Sequence, residues 1–420
     1  MEPEMSLDME ELNKRRVERH LRRQQVNAKK RRKKRLAMIV TSLLLIALGA
    51  GIFFLVRREE KAEPKQEFVT QSGEVASEEA TVIHLVAAGD VNVTDAIVAS
   101  GGADYDYTKT FLDVAHLLAE GDITVVNFEG NLCGSPYGST SRSAPQSLAQ
   151  ALDNSGVDLV QLANSYSINQ GISGLQATIQ SVKDAGMEPL GVYADERAYK
   201  AGKGYTIKNV EGVKIAFVAF TKGMDGMTLP QGSEHCVNVL YSDYDSTYQT
   251  VNTKAINEVL DAVEAEKPDL TVAMLHWGSE YNDTVSKTQN SIVTLMQERG
   301  VDAIIGTHPH YVQQMTYDPE SGNFVAYSLG DLLSDGDRSG TEYSVILNLE
   351  ITKQAGETKI TGYSYTPIFT VAERGSSLRS VRIAESMKAY DSNYIKSVGE
   401  STYNAMTYAL ERIEARIKGE

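Results

Sequence analysis

Val301-Asp302-Ala303-Ile304-Ile305-Gly306-Thr307-His308-Pro309-His310 is the stretch that decides how this chain folds. Its aliphatic half reads as a short buried strand, and its second half ends that strand in two histidines separated by one proline. A strand terminating in His-x-His sets two imidazoles on one edge of a sheet, where they can converge on a metal ion or a phosphate. Pro309 fixes the turn between them. Upstream, His276-Trp277-Gly278 ends another apolar run, so three of the seven histidines fall in these two places.

Outward from these two elements, apolar runs alternate with helical patterns. Strands are expected at 82–88, 123–128, 157–163, 213–220, 269–275, 302–306 and 324–329, and helices at 106–120, 145–154, 173–185, 247–266 and 286–299. Such ordering implies an α/β fold with largely parallel strands, whose ligand sites lie at the carboxyl ends of the strands. Residues 343–351 and 359–366 follow without a helix between them and read as closing antiparallel strands. A last helical stretch at 392–418, with apolar spacing at Ile395, Val398, Met406, Ala409, Leu410 and Ile413, is expected to pack on the domain or on a partner.

The amino-terminal part is of another kind. Residues 1–35 hold thirteen Lys or Arg against six Asp or Glu and end in Lys29-Lys30-Arg31-Arg32-Lys33-Lys34-Arg35. Leu36 to Val56 then carries no charge. At about 1.5 Å per residue such a helix spans roughly 30 Å, the hydrocarbon thickness of a bilayer. A cleaved signal peptide has a shorter apolar core nearer the start, so 36–56 reads as a transmembrane helix. The basic excess before it keeps the N-terminus in the cytoplasm and places the rest outside the cell membrane, in single-pass topology.

The expected organisation is therefore a basic cytoplasmic tail (1–35), a transmembrane helix (36–56), a flexible polar stalk (57–80), a folded ectodomain (81–370) and a C-terminal helical extension (371–420). Beyond residue 35 the chain has 28 Lys or Arg and 50 Asp or Glu, a net of −22. That balance argues against nucleic acid as a partner. Lipid headgroups are the simpler partner for the basic residues from 14 onward, and residues 14–56 are read as the membrane-lipid contact.

The strand ends carry the chemistry. The first ends in Gly89-Asp90, the second in Asn127-Phe128-Glu129, the third in Ala163-Asn164-Ser165-Tyr166. Later ends supply His276-Trp277-Gly278-Ser279-Glu280-Tyr281, Gly306 to His310, and Ser328-Leu329-Gly330-Asp331. Carboxylates, amides and imidazoles on one edge suit a borderline divalent ion such as Zn, Mn or Fe. Taken singly, Asp90 reads equally as a turn residue or helix cap, Glu129 as a cap, and His276 as a packed core histidine. The set is more specific than any member.

These motifs resemble the CapA family of capsule-synthesis or poly-γ-glutamate biosynthesis proteins, whose soluble part is similar to calcineurin-like metallophosphatases. The family's Gly-Asp is matched by Gly89-Asp90 and its Asn-Leu-Glu by Asn127-Phe128-Glu129. Its His-Trp-Gly-x-Glu-Tyr is matched by His276, Trp277, Gly278, Glu280 and Tyr281. Its Gly-x-His-Pro-His-x-x-Gln is matched by Gly306, His308, Pro309, His310 and Gln313. Its Tyr-Ser-Leu-Gly-Asn is matched by Tyr327, Ser328, Leu329 and Gly330, with Asp331 in the last place. The likeness covers about residues 81–370.

The resemblance implies a metallophosphatase-like α/β/β/α sandwich with a two-metal centre and metal-assisted phosphoester hydrolysis. By analogy Asp90, Glu129, Asn164, His276, His308 and His310 are candidate metal or phosphate contacts, with Asn127, Trp277, Glu280, Tyr281 and Asp331 lining the pocket. The cofactor implied is a divalent metal, Mn, Fe or Zn. The partners implied are polymer-synthesis membrane proteins and an anionic polymer or a phosphorylated substrate.

One departure matters. The family shows Ala-Asn-Asn-His, then Asp two residues on, where this chain reads Ala163-Asn164-Ser165-Tyr166-Ser167-Ile168-Asn169. Tyr166 stands in the place of the leaving-group acid, and a phenol near pKa 10 is a poorer acid at neutral pH than an imidazole near 6.5. Two expectations stay open: a membrane-anchored component of anionic-polymer synthesis or export with a degenerate metal site, or a non-enzymatic anchored binding module with a relic phosphoesterase pocket. If active, it is a metal-dependent phosphoesterase-like hydrolase. Cys133 and Cys236 both fall in the ectodomain, where a disulfide is permitted. His235-Cys236 as a ligand pair is the weaker reading.

Overall fold

In the computed structural model, residues 80–372, 378–393 and 398–420 are described. The expected tail, transmembrane helix and nearly all of the stalk lie outside these residues. No helix among the described residues is long and apolar enough to cross a membrane.

Two sheets lie face to face. The first runs β14-β13-β12-β1-β2-β3-β4, with β11 beside β1. Its parallel centre is β1 (Thr81–Asn92), β2 (Ile123–Glu129), β3 (Leu159–Gln161) and β4 (Glu188–Leu190). β11 (Asp331–Leu333) is parallel to β1, and antiparallel β12 (Tyr343–Gln354), β13 (Glu357–Ala372) and β14 (Leu378–Arg382) close it. The second sheet runs β5-β6-β7-β8-β10-β9. Its parallel strands are β6 (Val213–Thr221), β7 (Leu270–His276), β8 (Ala303–Thr307) and β10 (Phe324–Ala326), flanked by antiparallel β5 (Tyr205–Val210) and β9 (Met315–Tyr317).

Strand alternation assigns the layers, because successive side chains leave opposite faces. Ile83, Leu85 and Ala87 of β1 meet Ile215, Phe217 and Ala219 of β6 between the sheets. Val86 and Ala88 face outward, under α3 (Gln146–Asn154) and α4 (Gly171–Ala185). Ala216, Val218 and Phe220 face the other way, under α6 (Thr253–Glu266) and α7 (Lys287–Glu298). The expected α/β/β/α sandwich is thus formed. Each covering helix has one apolar stripe, such as Ile256, Val259, Leu260 and Val263 on α6, at the spacing that makes one helical face.

Short elements escaped the sequence. Helices α1 (Asp95–Ser100), α5 (Glu196–Gly202) and α8 (Ile383–Asp391) and strands β4, β5, β9, β11 and β14 carry too little periodic pattern to show there, whereas α2 (Ala115–Glu120) is the end of an expected helix. The expected helix 106–120 is helical only over α2. Before it the chain turns, with Thr110 N–H bonded to Tyr107 O and Val114 N–H to Phe111 O, which lets Tyr107 and Phe111 enter the core. The expected helix 247–266 starts later, because Asn252 caps it by accepting Ala255 N–H. Residues 243–250 form instead a loop tied by the Asp243 carboxylate to Thr247, Gln249 and Thr250.

The boundary expected at 370 falls inside β13, and β14 continues the sheet, so the carboxyl-terminal part is built into the domain. α9 (Glu400–Lys418) packs Met406, Ala409, Ile413 and Ile417 into the core between the sheets. Ile395 lies outside the described residues.

Candidate metal centre

The parallel strands of both sheets bring their carboxyl ends to one edge, and the candidate residues gather there. β1 delivers Asp90, β2 Asn127 and Glu129, β7 His276, and β11 Asp331; His308 and His310 follow β8, and Asn164 follows β3. Asp90 and Asp331 are register partners on adjacent strands. Two glycines allow this convergence. A Cβ on Gly89 would overlap the Gly330 carbonyl, which accepts the Asp90 N–H at 3.0 Å, and one on Gly306 would overlap the Tyr327 carbonyl.

Polar contacts stitch the sheets together at this edge. His276 Nε2 lies 2.9 Å from Glu129 Oε1, and its Nδ1 lies 3.1 Å from the Thr221 hydroxyl. Asp90 Oδ2 accepts the His308 N–H at 3.0 Å, while Oδ1 accepts from Asn127 Nδ2 at 2.6 Å. His310 Nδ1 lies 2.9 Å from Asp331 Oδ1 and 3.5 Å from Asp90 Oδ2, and its Nε2 lies 3.8 Å from Glu129 Oε2. Asn92 donates to Asp331 Oδ2 at 2.8 Å.

Three buried carboxylates, Asp90, Glu129 and Asp331, therefore surround one imidazole. Burial raises Asp90 well above the carboxylate range, helped by the charge of Glu129, and lifts Asp331 to about 6 despite His310. Burial also pushes Glu129 up, but the His310 charge and the His276 hydrogen bond outweigh it and hold Glu129 low. His276 and His308 are lowered, first by desolvation. His310 is raised well above its usual value, because Asp331 and Glu129 overcome its own burial.

Two atoms of this cluster are orphans. Glu129 Oε2 and His308 Nδ1 are buried without a hydrogen-bond partner. Such a group costs about 1–3 kcal/mol and calls for an explanation. Glu129, His308 and His310 offer ligand atoms within 4.8 Å of one another, as do Asp90, His310 and Asp331. Mixed imidazole and carboxylate donors, two of them left open, fit a borderline divalent cation. His308 and His310 also have φ of 94° and 58°, a strained region for residues other than glycine and one that clusters at functional sites.

Other candidates take different places. Asn164 is no open ligand: its Nδ2 donates to Phe128 O at 2.7 Å and Asn127 Oδ1 at 3.2 Å, and its Oδ1 accepts the Tyr166 N–H. It orients Asn127, which holds Asp90. Trp277 is not in the pocket, since alternation along the strand sends it to the face opposite His276. There it is fully buried, donates to Tyr327 O at 2.8 Å and stacks on Tyr327. Glu280 and Tyr281 are on the exposed rim, where the Tyr281 ring stacks on His310 at 5.3 Å. Gln313 serves structure, tying Asn282 O to Gln289.

Tyr166 lies under the Arg142 guanidinium at 4.1 Å, and burial and Glu129 raise its phenol above the usual value. It holds its proton at neutral pH. Both cysteines are free thiols.

Sequence reasoning missed Thr221, which orients His276, and Lys222, whose Nζ donates to Gly278 O at 2.8 Å. Both directly follow the expected strand 213–220, so the rule that found the other residues reaches them. Asn92, which braces Asp331, and Arg142, from a loop, carry no sequence signal.

A sequence model of the bacterial capsule synthesis protein family PGA_cap matches residues 84–336, more than half of the chain. The capsule biosynthesis protein CapA of Bacillus anthracis is 27% identical over 209 residues, 50% of this chain and 48% of that protein. The PGA biosynthesis protein CapA of Bacillus subtilis (strain 168) is 24% identical over 205 residues, 49% of this chain and 50% of that one. The chain thus spans about half the length of the curated relatives it matches. Among solved structures, the calcineurin-like phosphoesterase YfkN of Bacillus subtilis aligns at a TM-score of 0.43 with 15% identity, over 79% of this chain and 100% of that one. A hypothetical protein of Thermus thermophilus aligns at 0.41 with 16% identity, over 68% and 98%.

Proposed function

The chain belongs to the bacterial capsule synthesis protein family, and from that membership we propose that it is a membrane-anchored component in the synthesis or export of an anionic surface polymer, of which poly-γ-glutamate is the type. Its folded domain works outside the membrane, tethered through residues 36–56. The observation that carries the proposal is the pair of orphaned, buried ligand atoms, Glu129 Oε2 and His308 Nδ1, beside His310. They are what a cation site leaves open.

Glu129, His308 and His310 would hold one cation, and Asp90, His310 and Asp331 line a second position. A divalent ion of the Mn, Fe or Zn kind supplies Lewis-acid polarisation and positive charge for an anionic ligand. The chain's own residues orient the centre: Asn127 and the His308 N–H fix Asp90, Thr221 and Glu129 fix the His276 ring, and Asn164 braces Asn127. The protonated Tyr166 phenol hands on no proton at neutral pH.

That last point favours a second reading, in which the centre binds an anion without turning it over. The two readings share the cation site.

The test is the metal content of the full chain purified in detergent, with His308→Ala and His310→Ala beside it. The unmodified chain is expected to hold a transition metal that both variants lose; an unmodified chain without one overturns the site. In cells lacking the chain, surface polymer should be lost and restored by the unmodified gene. Undiminished polymer would refute the polymer role.

A further inference from the structure

The part of the chain beyond residue 35 nets −22, so an anionic polymer is repelled by most of its surface and needs a local cationic landing. The sequence offers no basic run there. The structure assembles one from three loops.

Arg142, from the loop after β2, lies over the Tyr166 ring at 4.1 Å and donates to Val93 O. Lys222, just past β6, lies 4.7 Å from the Tyr248 ring centre. Arg338, exposed in the loop after β11, lies 4.4 Å over Tyr281. Each adjoins the centre. Tyr166 N–H bonds to Asn164, Lys222 N–H bonds to His276 O at 2.7 Å, and Tyr281 stacks on His310.

These cations differ from others in the domain. Lys208, Lys214, Lys353, Arg299 and Arg379 are committed to carboxylates. Arg142, Lys222 and Arg338 have no carboxylate partner in any ion pair among the described residues. Stacking on a ring fixes a cation without neutralising it, so its charge remains available to a ligand. Glu280 stands on the same rim within electrostatic reach of Lys222, Tyr166 and Tyr281, and Asp225 within reach of Tyr166, so the three cations stand among carboxylates without being paired to them.

We propose that Arg142, Lys222 and Arg338 form a collar at the mouth of the centre that receives successive carboxylates of a linear polyanion. The proposal rests on the reading of the centre given above and adds the residues that recognise the polymer. Three single charges on three loops, each on its own tyrosine, match a chain with one charge per repeat. A compact phosphate would meet the centre itself and leave the collar unused.

The experiment titrates the full chain in detergent with a short fluorescein-labelled polyglutamate, followed by anisotropy. Arg142→Gln with Arg338→Gln should weaken binding by about tenfold or more and flatten its salt dependence. Lys359→Gln, on the far end of β13, should change nothing. Lys222→Met, tested alone, keeps the test decisive should the double variant melt early. Inorganic phosphate should not displace the probe.

Unaltered binding by these variants, no binding by the unmodified chain, or tighter binding of polyphosphate than of polyglutamate would each overturn the collar. The failures are separable. A metal-free chain that still binds through the collar sinks the metal reading alone, and a metal-loaded chain indifferent to the substitutions sinks the collar alone.

Discussion

His308 and His310 show what a single residue contributes and costs here. Each holds a positive φ that most side chains avoid, at about 1–3 kcal/mol of strain, and His308 does so with a buried nitrogen left unbonded. Folding alone gives no reason to keep such residues; a cation site does. Tyr166 is the opposite case, a residue whose surroundings keep it from acting. Restoring the family pattern with Ser165→Asn and Tyr166→His places an imidazole where the leaving-group acid is missing. Hydrolysis of a generic phosphodiester by the metal-loaded chain should rise by about ten- to a hundredfold. Unchanged hydrolysis would mean that the missing acid is not what limits the centre. These roles could be anticipated for His308 and His310, because their meaning is carried by spacing, and for Tyr166 only through the resemblance to the family's Ala-Asn-Asn-His. For Asn164 and Trp277 it was not, because hydrogen-bond partners and the facing side chain decide them.

At the scale of elements, β8 starts with a feature that pH reaches. The Asp302 carboxylate accepts the Thr271 N–H at 2.7 Å, joining β8 to β7, and burial raises its pKa from 3.8 to about 6. The folded chain therefore keeps a proton that the unfolded chain has lost between these values. Stability from this group falls as pH rises through that window, and the full penalty of about 3 kcal/mol is present above it. Asp302→Asn keeps an acceptor for Thr271 and removes the ionisation. Urea titrations should show the variant gaining on the unmodified chain by about 2–2.5 kcal/mol between pH 4 and pH 7.5. A constant difference across that range would contradict the assignment. The long strands and five of the six expected helices were legible because each carries a full period of apolar side chains. The edge strands β4, β5, β9, β11 and β14 were not, because their existence depends on a neighbour already in place.

On the scale of the whole molecule, the last helix locks the centre from outside the span matched by the family. Arg412 and Arg416 of α9 both reach Asp283 Oδ2, at 3.0 and 3.2 Å, in the loop that carries Tyr281. The buried Arg416 guanidinium also lies 4.5 Å over Tyr311, next to His310. Arg416→Ala removes both holds and should cost about 1–3 kcal/mol of stability. A double-mutant cycle with Asp283→Asn should return coupling of about 0.5–2 kcal/mol, read from thermal or urea unfolding. Strict additivity would show that α9 only packs and does not hold the loop.

The sequence by itself determined the layered α/β order, the edge on which chemistry would gather, and the family, because periodicity and strand-end motifs are local and survive being read in one dimension. Tertiary structure alone decided which atoms stay open for a cation, that Asp331 and Glu129 share His310, that the terminal helix belongs to the domain, and that three scattered cations meet at one mouth. Those outcomes depend on two sheets being pressed together, and the distance across that interface is written in no single stretch of the chain.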